Sequence, residues 1–212
     1  MTDNRVSIQK PVIGICIAAV LWTIMFSPWT APYINFWVMM TCSGATLTLF
    51  TCWARPRWWK DVRLDLSNIV IGVILAAALW GVFWLGEYLS TLMFDFARPQ
   101  VDSIYGMKEG ENPVVLTLLM LFIIGPAEEI FWRGCLQNRL SARWNPNIGF
   151  ILTTLAYGLV HVSKFNFMLI MAAMVAGFIW GLAYRFFPEK LGAILISHAL
   201  CDCAVFIWFP II

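Results

Sequence analysis

The chain has 212 residues, of which 61% are hydrophobic and 12% charged, with a mean hydropathy of +0.78. A soluble domain carries roughly 25% charged residues, so this composition excludes one and points to an all-α, polytopic transmembrane helix bundle occupying 1–212 as a single domain. The net charge of +2, with no basic run, excludes a nucleic-acid partner and leaves the lipid bilayer.

A helix needs about 20 apolar residues to cross the hydrocarbon, and seven runs qualify: 11–27, 33–54, 67–93, 113–135, 147–164, 166–187 and 190–211. Arg5 and Lys10 precede the first in the manner of a signal peptide. No small-x-small cleavage site follows, however, and SPWTAP reads as a turn between two spans. Between the third and fourth runs, residues 94–112, with Asp102, Lys108, Glu109 and Glu111, form the only long polar loop. Ser163, Lys164 and Asn166 read as a short loop between the fifth and sixth. Gly177 and Gly181 make a GxxxG, which lets helices approach closely. The six cysteines show no CxxC pair and read as small apolar residues.

Lys and Arg collect in cytoplasmic loops. Seven spans put Arg5, Lys10, Arg55, Arg57, Lys60, Arg63, Arg133, Arg139, Arg143, Arg185 and Lys190 on one side, against Arg98, Lys108 and Lys164 on the other. The N-terminus is therefore expected in the cytoplasm and the C-terminus outside.

Apart from those at the loop ends, seven charged residues or histidines fall within the apolar runs: Glu87, Glu128, Glu129, Arg133, His161, His198 and Asp202. Such residues are costly in a bilayer and are paired or functional by default. No partner is evident for Glu87. Residues four apart share a helix face, which sets Glu129 beneath Arg133 and His198 beneath Asp202. Glu128 is turned about 100° from Glu129. It is expected to project into the bundle towards His161 and His198, while Glu129 pairs with Arg133. Such a set suits a hydrolytic site or a proton path. The spacing places it in the inner half of the membrane.

Here the residues resemble a known family. AEEIFWRG, 127–134, is similar to the EExxxR motif of the CPBP intramembrane proteases, the group of the type II CAAX prenyl endopeptidases. YGLVH, 157–161, resembles their FxxxH with Tyr for Phe, and HALCD, 198–202, their HxxxN/D. The resemblance covers 113–212, the motif-bearing half, and the first three spans add little to it. It implies an intramembrane endopeptidase in which Glu128 with His161 activates water and His198 with Asp202 stabilises the oxyanion, supported by Glu129 and Arg133. Its substrate would be a membrane-embedded or lipid-anchored protein, in a bacterial inner membrane. Asn at 202 could donate a hydrogen bond to an oxyanion whereas ionised Asp cannot, so Asp202 is protonated, orients His198, or binds a metal. Zinc is an alternative, held by His161, His198 and Glu128 or Asp202, but HExxH is absent and a mechanism requiring no cofactor is preferred. A non-catalytic scaffold and a proton-coupled transporter are the rival functions.

Overall fold

Lipid offers backbone N–H and C=O groups no partner, so apolar runs of this length close their hydrogen bonds within helices. The computed structural model describes residues 7–211, all-helical apart from turns and short connections; Arg5, counted above among the basic residues, lies outside them. Helix α1 spans Gln9–Phe26, α2 Phe36–Ala54 and α3 Leu66–Met93. A short α4, Ala97–Tyr105, precedes α5, Pro113–Arg143. Then come α6, Pro146–Leu159, α7, Phe167–Phe186, and α8, Pro188–Trp208.

Among the described residues six helices are long and apolar enough to cross a membrane. The seventh expected span, 147–164, is α6, and it is short at 14 residues. It stops before His161 because the chain turns there through a 3-10 segment, Val162–Lys164, and a left-handed Phe165 at φ 52°. Asn166 then accepts from Leu169 N and caps α7. The turn expected at SPWTAP is present after Phe26.

Two expectations are corrected. Residues 94–112 are no free polar loop, because α4 and the 3-10 turn after it are bonded across one end of the bundle. Tyr105 donates to Val205 O at 3.0 Å, Trp37 Nε1 to Met107 O at 3.0 Å, and Asn166 Nδ2 to Gln100 O at 2.8 Å. Helix α5 also runs to Arg143 and not to 135. Its polar last turns remain helical because Gln137, Asn138 and Arg139 find partners in Gly181 O, the Tyr184 hydroxyl and Ala54 O.

The middle of α5 departs from regular α geometry. Wider π turns at Met120–Ile124 and Trp132–Gln137 flank the α segment Gly125–Phe131. Pro126 lacks an N–H and its ring crowds the carbonyl four residues back, and the preceding π turn accommodates both; such turns recur at functional sites. At Gly125 a Cβ would stand 2.8 Å from Ala199 Cα and N, so only glycine lets α5 and α8 approach this closely. Gly177 serves α7 likewise against the Tyr157 ring of α6, where a Cβ would meet Cδ1 at 2.9 Å.

Candidate functional site

Glu129 and Arg133 lie one turn apart on α5, both fully buried. Arg133 Nη1 donates to Glu129 Oε1 at 2.6 Å and Nη2 to Gly177 O at 3.1 Å. The guanidinium also lies over the Tyr157 ring, 4.9 Å from its centre, and near the Trp180 ring at 5.6 Å. A charge taken from water needs this kind of compensation. The GxxxG of α7 thus serves a second purpose: Gly177 turns a carbonyl to Arg133 and Gly181 one to Gln137, the latter at 2.8 Å.

The same Glu129 Oε1 receives His198 Nδ1 from α8 at 2.7 Å. Across the ring, His198 Nε2 faces Asp202 Oδ2 at 3.4 Å, and the ring face stacks on Trp180 with centroids 4.0 Å apart and planes 18° from parallel. Trp180 itself donates to Ser197 Oγ at 3.0 Å. Spacing directs Glu128 towards His198; the glutamate bonded to it is Glu129, which lies one turn from Gly125, the residue of α5 that packs on Ala199 of α8.

Glu128 is buried and lines a cavity of about 560 Å³ with Tyr157, His161, His198 and Asp202. The remaining wall is mainly aromatic and aliphatic, including Phe26, Phe36, Trp37, Phe83 and Phe206. Glu128 Oε2 has no protein partner. Glu87 also lines the cavity, and it is not partnerless: Arg98 of α4 lies 3.4 Å from its Oε1 and 3.0 Å from Asp102. That pairing depends on α4 folding over α3, which a reading of 94–112 as loop could not supply.

His161 stands just past the end of α6. Its Nδ1 lies 2.8 Å from Tyr157 O, and its Nε2 receives the indole N–H of Trp22 at 3.1 Å. Trp22 belongs to α1, outside the motif-bearing half of the chain. A buried indole N–H usually finds an acceptor, as that of Trp22 does and that of the equally buried Trp132 does not, and nothing along the chain indicates which residue it meets.

The cavity lies towards the helix ends that carry α4 and the turn at Val162–Lys164, opposite the end bearing Arg55, Arg57, Arg139, Arg143 and Arg185. Glu128 is fifteen residues from Arg143, about 22 Å of helix, and His161 follows Pro146 by the same count. With α5 running eight residues past the expected 135, Glu128 stands at the middle of the helix.

The four residues named for zinc do not fit a metal centre as arranged. Three of the four imidazole nitrogens, both of His161 and Nδ1 of His198, already have hydrogen-bond partners in the protein. Among the described residues no group of three or more His, Cys, Asp or Glu side chains is disposed to hold an ion.

Fold and site together define a polytopic helical membrane protein with an ionisable cluster on the wall of an internal cavity. Residues 110–204 match the model of the family described as type II CAAX prenyl endopeptidase Rce1-like, which bears out the resemblance read from the three motifs. The matched stretch contains Glu128, Glu129, Arg133, His161, His198 and Asp202 and omits the first four helices, α1 to α4. No curated protein and no solved structure matches the chain. The family match supports a peptidase integral to a membrane, acting on a membrane-associated protein.

Proposed function

We propose that the protein is an intramembrane endopeptidase in which Glu128 activates water against a peptide bond of a membrane-embedded or lipid-anchored protein. The observation that carries this reading is the contrast between adjacent carboxylates. Both carboxylates leave Oε2 without a protein partner, but Glu129 is held through its other oxygen by Arg133 and His198 and lies off the cavity wall, whereas Glu128 lines the cavity. A general base needs a free oxygen within reach of the proton it abstracts.

In the proposed reaction the water oxygen attacks the carbonyl carbon, Glu128 takes a water proton, and the carbonyl π pair moves onto oxygen. His198, oriented through Nδ1 by Glu129, presents Nε2–H to that oxyanion, a preorganised donor of the kind that dominates acyl transfer. Collapse re-forms the carbonyl and breaks the C–N bond, and the proton on Glu128 passes to the leaving nitrogen. Asp202 orients the His198 ring, and His161, with both ring nitrogens held by protein partners, walls the cavity. No step calls for a metal.

The test compares the termini of membrane proteins in cells carrying the wild type or the Glu128→Gln variant. Termini that depend on the wild type are expected. Identical sets, with equal amounts of both proteins in the membrane, would overturn the reading and favour a scaffold or a transporter.

A further inference from the structure

His161 is held by two partners whose chemistry leaves no choice. The indole of Trp22 can only donate, so the nitrogen it meets at 3.1 Å, Nε2, must present a lone pair. The carbonyl of Tyr157 can only accept, so Nδ1, 2.8 Å away, must carry the proton. Both contacts demand the same neutral tautomer. Trp22 is itself fixed: it is fully buried, and its ring stands edge-on to Trp132 at 6.3 Å and to His161 at 6.1 Å. Trp132 lies within the motif of α5, so α1 grips the motif helix and His161 together.

We propose that Trp22, outside the matched stretch, is a positioning residue of the hydrolytic site, fixing His161 at the cavity wall as the neutral, Nδ1-protonated imidazole. The inference rests on the endopeptidase reading and divides the labour within it. While the indole occupies the Nε2 lone pair, His161 takes no proton, and the proton leaving water has Glu128 as its acceptor. The ring nitrogen that a neighbour occupies sets the tautomer the other nitrogen shows.

The chain has only two histidines, so ¹⁵N-histidine labelling yields two ring systems, which solid-state NMR of the full chain in liposomes can assign with a His198→Gln variant. The wild type is expected to show His161 with a protonated Nδ1 and a bare, hydrogen-bonded Nε2. Trp22→Phe keeps an aromatic ring and removes the donor. It should move the Nε2 resonance towards that of a free imidazole nitrogen, and slow formation of the wild-type-dependent termini about 10- to 100-fold, the scale of a small misplacement at a reacting centre. A wild-type His161 protonated at Nε2 would overturn the proposal, as would a Trp22→Phe variant with unchanged resonances or undiminished termini. If Trp22→Phe fails to accumulate, the wild-type spectrum still decides the tautomer, and a wild-type Nε2 resonance at the position of a free imidazole nitrogen then overturns the proposal. The resonances are read without substrate. A failed endopeptidase reading shows instead as termini indifferent to Glu128→Gln.

Discussion

Glu129 of α5 and His198 of α8 are joined at 2.7 Å through a carboxylate oxygen that also receives Arg133 at 2.6 Å. One carboxylate, itself fully buried, thereby holds two nitrogen donors from two helices. Removing one partner of a buried pair typically costs about 3 to 5 kcal/mol, since the other charge is left alone. Glu129→Ala strands both donors and is expected to lower thermal stability in detergent more than Arg133→Ala, which leaves Glu129 bonded to His198. The double replacement should cost less than the sum of the two. Strictly additive losses in that cycle would mean the side chains do not interact.

Glu128→Gln keeps the size of the side chain and removes its basicity. Its cleavage rate should fall by at least about 100-fold, the usual contribution of a general base, while its melting temperature in detergent stays near that of the wild type. Turnover by the purified Gln variant close to the wild-type rate would assign the base elsewhere.

Asp202 faces His198 Nε2 at 3.4 Å and remains partly exposed to the cavity. If it orients the ring, Asn can do so too, and Asp202→Asn should retain activity within about tenfold, whereas loss of a zinc ligand would exceed that. Chelators should leave the wild-type rate unchanged. Reversible inactivation by a chelator, with zinc restoring the Asn variant, would reinstate the metal reading.

The Gly125 contact with Ala199 sets the distance between the helices that carry Glu129 and His198. A methyl group there meets backbone atoms at 2.8 Å, which cannot yield as a flexible side chain does. Gly125→Ala is expected to lose stability and cleavage together, and to shift the His198 ring-nitrogen resonances. A variant with wild-type resonances would show that the close approach does not position the ring.

The asymmetry of Lys and Arg predicts that the cavity end of the bundle faces outside the cell. Lys164→Cys and Glu111→Cys should therefore react with a membrane-impermeant maleimide in intact cells, and Lys60→Cys and Arg185→Cys only after permeabilisation, against the labelling of the wild-type cysteines. The opposite pattern would reverse the orientation and the face from which substrate arrives.

Helix content and the contact between Glu129 and Arg133 were legible in the sequence because both depend on separations of a few residues. Apolar runs must be helical in lipid, and side chains four apart meet on a helix; the observed 2.6 Å contact follows from that spacing alone. The EExxxR, YxxxH and HxxxD patterns similarly located the stretch that matches the family. What spacing could not supply was depth and partnership across the bundle. Helix α5 continues past 135 because Gln137, Asn138 and Arg139 are satisfied by residues far along the chain, so a hydropathy boundary ends it too soon. The pairing of Glu129 with His198 spans 69 residues and that of Trp22 with His161 spans 139. Both are selected by which small residues let helices approach and by which buried donors must find an acceptor. Those are properties of packed neighbours, and a linear pattern carries no record of which neighbours they will be.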